Sequence, residues 1–211
     1  SYGMVDLPSG KMKSREGTIV DADELMDEMF TTAAKHTLEL GKIEELTEDE
    51  SKSLFRMVGL GALKFFLLKV DPKKRILFDP KESIEFQGHT GPFVQYTYAR
   101  ISAVLRRASS KGINKLLFPI KEIQSREQML LAHLVKFEEV IEQAARDYSP
   151  ALLAHYVYDL AKYYNRFYQE LSIFNEPDDN LVIFRIGLSR LTARVIRRSM
   201  NLLGIDVPNR M

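Results

Sequence analysis

Gln87-Gly88-His89-Thr90-Gly91-Pro92-Phe93-Val94-Gln95-Tyr96-Thr97-Tyr98-Ala99-Arg100 is the stretch on which the reading of this chain turns. Two glycines flank the His89–Thr90 pair, a proline follows, and an uninterrupted helical pattern begins. Thr90 is placed to cap that helix, and Pro92 falls in its first turn, where a missing N–H leaves no intrahelical bond unmade. Upstream the chain is acidic and mixed in character; downstream it is helical and basic. The stretch therefore reads as the joint between two parts, residues 1–85 and residues 86–211.

The net charge of +1 conceals this segregation. Residues 21–50 carry eleven acids against Lys35 and Lys42. Residues 86–121 carry no acid, while Arg100, Arg106, Arg107, Lys111, Lys115 and Lys121 are basic. From residue 180 onward six arginines face Asp206 alone. Charge blocks are most often solvated faces, but two basic blocks in one helical unit point to a phosphate-bearing partner. With 45% apolar residues the chain can bury a substantial core. No apolar run reaches the ~18 residues of a membrane span. The absence of cysteine excludes disulfides and thiolate metal sites and fits a reducing compartment, the cytoplasm. His36, His89, His133 and His155 are spread along the chain without metal-ligand spacing to acids, so no metal centre is expected.

Periodicity predicts a mainly helical fold with little strand. Residues 1–5 end in a buried strand or turn. Residues 7–18 form a loop rich in glycine, serine and cations, of a composition that can wrap an anion but that any flexible basic loop shares. Leu25, Met26, Met29, Phe30, Ala33, Ala34 and Leu38 give a helix over residues 21–40. Thr47 and Glu50 make a capping box for a helix reaching about Lys69, and Gly59 and Gly61 within it call for close packing against another backbone. Residues 76–78 and 83–86 read as extended, with Asp79 and Pro80 turning between them.

From Pro92 the pattern is a helix bundle. The first helix runs to about Ser109, with Arg100, Arg107 and Lys111 near one another on its outside. Ser125 with Gln128 suggests a second capping box, opening one helix whose inner face is Leu130, Leu134, Phe137, Ile141 and Ala144. Ser149-Pro150 opens the next, with Leu153, Val157, Leu160, Tyr164, Phe167 and Leu171 inward; residues 175–180 turn; the last helix spans residues 181–203 and stops at Gly204-Ile205. The third helix holds His155, Tyr156, Tyr158, Tyr163, Tyr164, Phe167 and Tyr168. Rings at helical spacing are usually core, yet seven within fourteen residues cannot all face one core. Rings at a surface beside arginines suit single-stranded RNA, whose bases stack on aromatics while cations hold phosphate. Arg190, Arg194, Arg197 and Arg198 form a stripe on the last helix.

Three segments also carry a family resemblance. Gly88-x-Thr90-Gly91-Pro92-Phe93-x-Gln95-Tyr96-x-x-Ala99-Arg100-Ile101 resembles the opening of the helical anticodon-binding domain of arginyl-tRNA synthetases. Gly10-Lys11-Met12-Lys13-Ser14-Arg15-x-Gly17-Thr18-x-Val20 resembles the mobile signature loop of class I synthetases in its arginyl form, departing from the wider class at Lys13 and Arg15. Leu160-Ala161-x-x-Tyr164-Asn165-x-Phe167-Tyr168 and the tail to Met211 resemble that family's later helix and terminus. The chain is thereby identified as resembling the C-terminal part of a bacterial-type arginyl-tRNA synthetase: residues 1–85 the helical, slightly β-containing end of the catalytic domain, and residues 86–211 the anticodon-binding bundle.

The resemblance implies arginine–tRNA ligase activity in a longer, cytoplasmic, monomeric enzyme that uses ATP with Mg and arginine, with arginine tRNA as partner and neither DNA nor a membrane involved. It implies that Lys11, Met12, Lys13, Ser14 and Arg15 close on the ATP phosphates, with Lys11, Ser14 and Arg15 acting in catalysis. It offers Tyr96, Arg100, Arg107, Asn165, Tyr168, Arg194 and Met211 as RNA contacts. The upstream class I signature is absent here, so the chain alone is expected not to activate arginine. The competing reading is a stand-alone, non-catalytic helical module that binds RNA or a protein.

Overall fold

The computed structural model describes residues 3–6, 21–39, 46–113 and 122–211. The signature-like loop, with Lys11, Met12, Lys13, Ser14 and Arg15, lies outside the described residues. Two short strands open and punctuate the first part: β1 (Val5–Asp6) pairs in parallel with β2 (Ile76–Leu77). Arg75 clamps this pairing through Asp6, donating from Nη2 to Oδ1 at 2.9 Å and from Nε to Oδ2. Around it pack α1 (Ala22–Glu39) and α2 (Glu48–Leu68). The expected capping box is present: Thr47 Oγ1 accepts from Glu50 N, and Glu50 Oε2 accepts from Thr47 N at 2.8 Å. Met29, Ala33, Leu54, Val58, Ala62, Phe66, Phe78 and Ile84 make the apolar cluster of this part.

The second extended segment expected at residues 83–86 is a correction. Asp79 accepts from the amides of Lys81 and Glu82, and with Pro80 at the first position it starts a short helix, α3 (Pro80–Ser83). An Asp-Pro pair makes a helix N-terminus as readily as a turn. Here that choice leaves residue 84 in a turn and residues 86–89 as bends ahead of Thr90.

From Gly91 the described residues are mainly helical. The elements are α4 (Gly91–Ser110), α5 (Ser125–Val135), α6 (Phe137–Arg146), α7 (Pro150–Glu170) and α8 (Asp179–Leu202). Thr90 caps α4 as expected, its hydroxyl accepting from Phe93 N at 3.3 Å. The box at α5 sits one residue earlier than expected: Gln124 is the cap and Glu127, not Gln128, its partner. Residues 125–146 are also two helices rather than one, broken at Lys136. Phe137, Val140 and Ile141 of α6 are only partly buried, and α6 has no fully buried residue. Its apolar stripe grazes the core, so packing does not hold it in line with α5. Ile101, Leu130, Val157, Leu160, Tyr164, Phe167, Ile196 and Met200 centre the second cluster, which Phe65 of α2 also joins. The last helix stops as expected, with Gly204 at φ +68° and Ile205 N donating to Met200 O at 2.9 Å.

The two parts meet where α2 crosses α4. A Cβ on Gly91 would stand 2.5 Å from Gly61 O, and a Cβ on Gly61 2.4 Å from Gln95 Nε2. That amide is fully buried and donates to Met57 O of α2 at 3.0 Å and to Asp206 O of the C-terminal tail at 2.8 Å. Lys64 Nζ holds the tail a second time, at Gly204 O, 2.6 Å away. In an ordinary helix interior Gly→Ala gains about 1 kcal/mol. At Gly61 the overpacking reverses the sign, and Gly61→Ala is expected to lose about 1–3 kcal/mol in urea unfolding. A raised unfolding midpoint would show that the two helices separate easily.

Candidate nucleic-acid interface

Helices α4 and α7 run side by side in the same direction, and their seam carries a ladder of rings, amides and cations. Phe93 meets Tyr158 at 5.3 Å between ring centroids. Asn165 Nδ2 donates to Thr97 Oγ1 at 2.9 Å, while Arg100 Nη1 donates to Asn165 Oδ1. The Arg100 guanidinium lies over Tyr96 at 4.9 Å and over Tyr168 at 5.4 Å. Further along, Arg107 and Lys111 lie over Phe174 at 4.5 and 5.6 Å. From Phe93 to Lys111 this seam is about 27 Å long at ~1.5 Å per residue. Tyr168 is 40% exposed, whereas Tyr156, Tyr164 and Phe167 of the same helix are buried. The aromatic excess of α7 thus divides into core rings and seam rings.

Two supports fix the ladder. Phe86 stands 6.1 Å from Tyr96 and stacks on His36 of α1 at 5.3 Å, so α1 backs the start of the seam. At the other end, buried Arg185 donates from Nε to Glu127 Oε1 at 2.6 Å, and from Nη1 to Glu176 Oε2 at 2.7 Å and Ser172 O at 2.6 Å. Glu127 also accepts from Gln124 N at the start of α5. One guanidinium therefore ties α5, α8 and residues 172–176 together, and with them Phe174. Such a pair adds little net stability against its desolvation, but it fixes geometry.

The structure brings Tyr96, Arg100, Asn165 and Tyr168 into one cluster and sets Arg107 farther along the same seam. It places Arg194 elsewhere, exposed on α8. Met211 is half-buried against the α1–α2 cluster, at the end of the tail that Gln95 and Lys64 hold. The histidines, spread in sequence, are partly gathered by the fold: His89 lies 4.8 Å from His155 and 4.2 Å from Tyr158. Among the described residues no group of three or more His, Asp or Glu could hold a metal ion. No described helix is long and apolar enough to cross a membrane.

A family model described as the DALR anticodon binding domain matches residues 94–211. The chain belongs to that family. Over its whole length it is also similar to arginine–tRNA ligases, as the resemblance implied. It is 53% identical to that of Bacteroides thetaiotaomicron and 52% identical to that of Flavobacterium psychrophilum, spanning 36% and 35% of their lengths. The solved arginyl-tRNA synthetase of Thermus thermophilus superposes over the whole chain with a TM-score of 0.87 at 30% identity, the chain spanning 35% of it. The Plasmodium falciparum arginyl-tRNA synthetase shares the fold with a TM-score of 0.78 at 22% identity. The chain thus spans about a third of the length of the relatives it matches.

Sequence reasoning missed Phe86, Phe93, Phe174 and the His89–His155–Tyr158 group as seam residues. Phe174 sits in a connection with no period to betray it, and His89 in a bend, so only tertiary contacts reveal them. His89 also has a consequence for stability. Burial first, then the charges of His155 and Lys69, push its pKa down from 6.5 to about 4, and burial lowers His133 in the same direction. His89 takes up its proton near pH 6.5 in the unfolded chain and not until nearer 4 in the folded chain. The contribution is therefore whole above 6.5 and lost as pH falls through that window. Urea midpoints should drop on going from about pH 7.5 to 5, and His89→Gln should flatten the decline; a flat wild-type profile would contradict this.

Proposed function

We propose that this chain is the C-terminal part of an arginine–tRNA ligase. Residues 86–211 bind the anticodon arm of arginine tRNA, and residues 1–85 end the catalytic part. The family match and the partly exposed ring–cation seam support this reading, with the two apolar clusters favouring the division. Tyr96 and Tyr168 offer ring faces for unpaired bases. Arg100 stiffens both rings, and Asn165 holds Arg100 in place. Arg107 and Lys111 supply charge for the phosphates beside them. Arg194 adds charge on α8, and Met211 acts from the tail that backs α4 and α2. The ATP step belongs to Lys11, Met12, Lys13, Ser14 and Arg15, whose cations meet the charge developing on the leaving pyrophosphate. The longer enzyme works as a cytoplasmic monomer.

Tyr168→Ala is expected to weaken binding of an arginine-anticodon RNA hairpin by about 1–3 kcal/mol while leaving the slope of log K against log salt unchanged. Because that ring is partly exposed, the fold should survive the change. Arg107→Ala should instead flatten the slope by roughly one unit. Filter binding at several salt concentrations separates the two roles, and equal losses for every hairpin sequence would remove base recognition from Tyr168. In the longer enzyme, Arg15→Ala should slow arginyl-adenylate formation by roughly 3 kcal/mol with little change in arginine KM. A raised KM at unchanged turnover would place Arg15 in arginine binding instead.

A further inference from the structure

On the other side of α4 from the ring seam lies a groove that the anticodon reading does not use. It has a volume of about 480 Å³ and is walled by α4, α8 and the C-terminal tail. Arg106, Arg197 and Arg210 line it, together with Ser102, Ser109 and Asn209. The groove is held in shape from within. Arg106 Nη1 donates to Asn209 O at 2.7 Å, and Arg197 Nη2 donates to the hydroxyl of buried Tyr98. Each guanidinium has further N–H donors beyond these. Residues 86–113 contribute no acid to the α4 wall, and α8 none after Asp179. Asp206 is the acid of the tail sequence, and Glu50 of α2 feels the charge of Arg210. Arg190, Arg194 and Arg198 are exposed on α8 around Arg197.

We propose that this groove is a second RNA site, one that takes backbone phosphates of the same RNA whose loop bases engage the seam. It rests on the anticodon-binding reading and adds a surface to it. The seam and the groove flank one helix, whose diameter with side chains is about 10–12 Å. An RNA hairpin can straddle a ridge of that width, with unpaired bases on the ring side and one strand's phosphates on the arginine side. Guanidinium forks fixed by second hydrogen bonds suit phosphate oxygens, and the exposed Ser109 hydroxyl adds a short donor. No ring is offered on the groove side except Tyr98, which is buried. The groove therefore recognises charge and shape, and the seam recognises bases.

The test uses the 211-residue chain and two synthetic RNA hairpins, one with an arginine anticodon and one with that anticodon replaced. Ser109→Glu replaces a hydroxyl at an exposed position of the groove by an anion. It should weaken binding of both hairpins several-fold and by the same factor, leaving their affinity ratio intact. Arg106→Gln should flatten the salt slope by roughly one unit, and Arg106→Lys should restore it. Tyr168→Ala should do the opposite, reducing the ratio at constant slope. If Tyr168→Ala acts as stated but Ser109→Glu changes nothing, the groove holds no RNA and the proposal falls while the seam stands. If Arg106→Gln weakens binding at unchanged slope while hydrogen exchange at residues 205–210 rises, Arg106 only positions the tail, and the proposal likewise falls. If neither hairpin binds the wild-type chain, the anticodon reading itself has failed.

Discussion

The contact between α2 and α4 at Gly61, Gly91 and Gln95 is the constraint on which the arrangement depends. Two helices can approach this closely only where neither presents a Cβ, because interiors pack at crystal-like density and have no slack for one. The approach carries Gln95 into a fully buried position, where its amide must find partners. Its Nε2 finds them in Met57 O of α2 and Asp206 O of the tail, so one side chain fastens three segments. With α4 fixed in this way, its two sides face different neighbours: α7 along the ring seam, and α8 with the tail along the arginine groove.

The seam itself is organised by charge as much as by rings. Arg100 is shared between two aromatic faces and an asparagine, which leaves it preorganised rather than free to search. Preorganisation matters for a nucleic-acid contact, since ordering a long side chain on binding costs free energy that a fixed one has already lost. The Arg185–Glu127–Glu176 group does the same for Phe174 from inside the core, at the far end of the ladder. Buried charge here serves geometry more than stability.

Much of this was legible in the chain alone. The caps at Thr47 and Thr90 follow from local side chains bonding local backbone, the start of α7 from Pro150, and the stop of α8 from the positive φ of Gly204. The errors arose where local signals were ambiguous. Asp79-Pro80 opens a turn or a helix with equal ease, and packing against α1 and α2 accompanies the helix. Ser125 and Gln124 both offer a capping oxygen, and the ion pair between Glu127 and Arg185, fifty-eight residues apart, coincides with the choice of Gln124. The break at Lys136 is likewise invisible to a period that continues across it, because the period records which side is apolar and not whether anything covers it.

The sequence by itself determined the helical class, the capped helix start at Thr90, the segregation of charge and the family resemblance. Each of these is written in nearest-neighbour chemistry or in residue identity. It also supplied Tyr96, Arg100, Asn165 and Tyr168 as candidates, though only from resemblance and ring excess. Tertiary structure alone decided that these four meet, that Phe174 and Phe93 join their seam, that Met211 turns to the α1–α2 cluster, and that Arg106 and Arg197 share a groove with Asn209. Most of those outcomes depend on pairs far apart in the chain, 65 residues between Arg100 and Asn165 and 103 between Arg106 and Asn209. No local rule fixes such pairs; the packing of α4 against α2, α7 and α8 does.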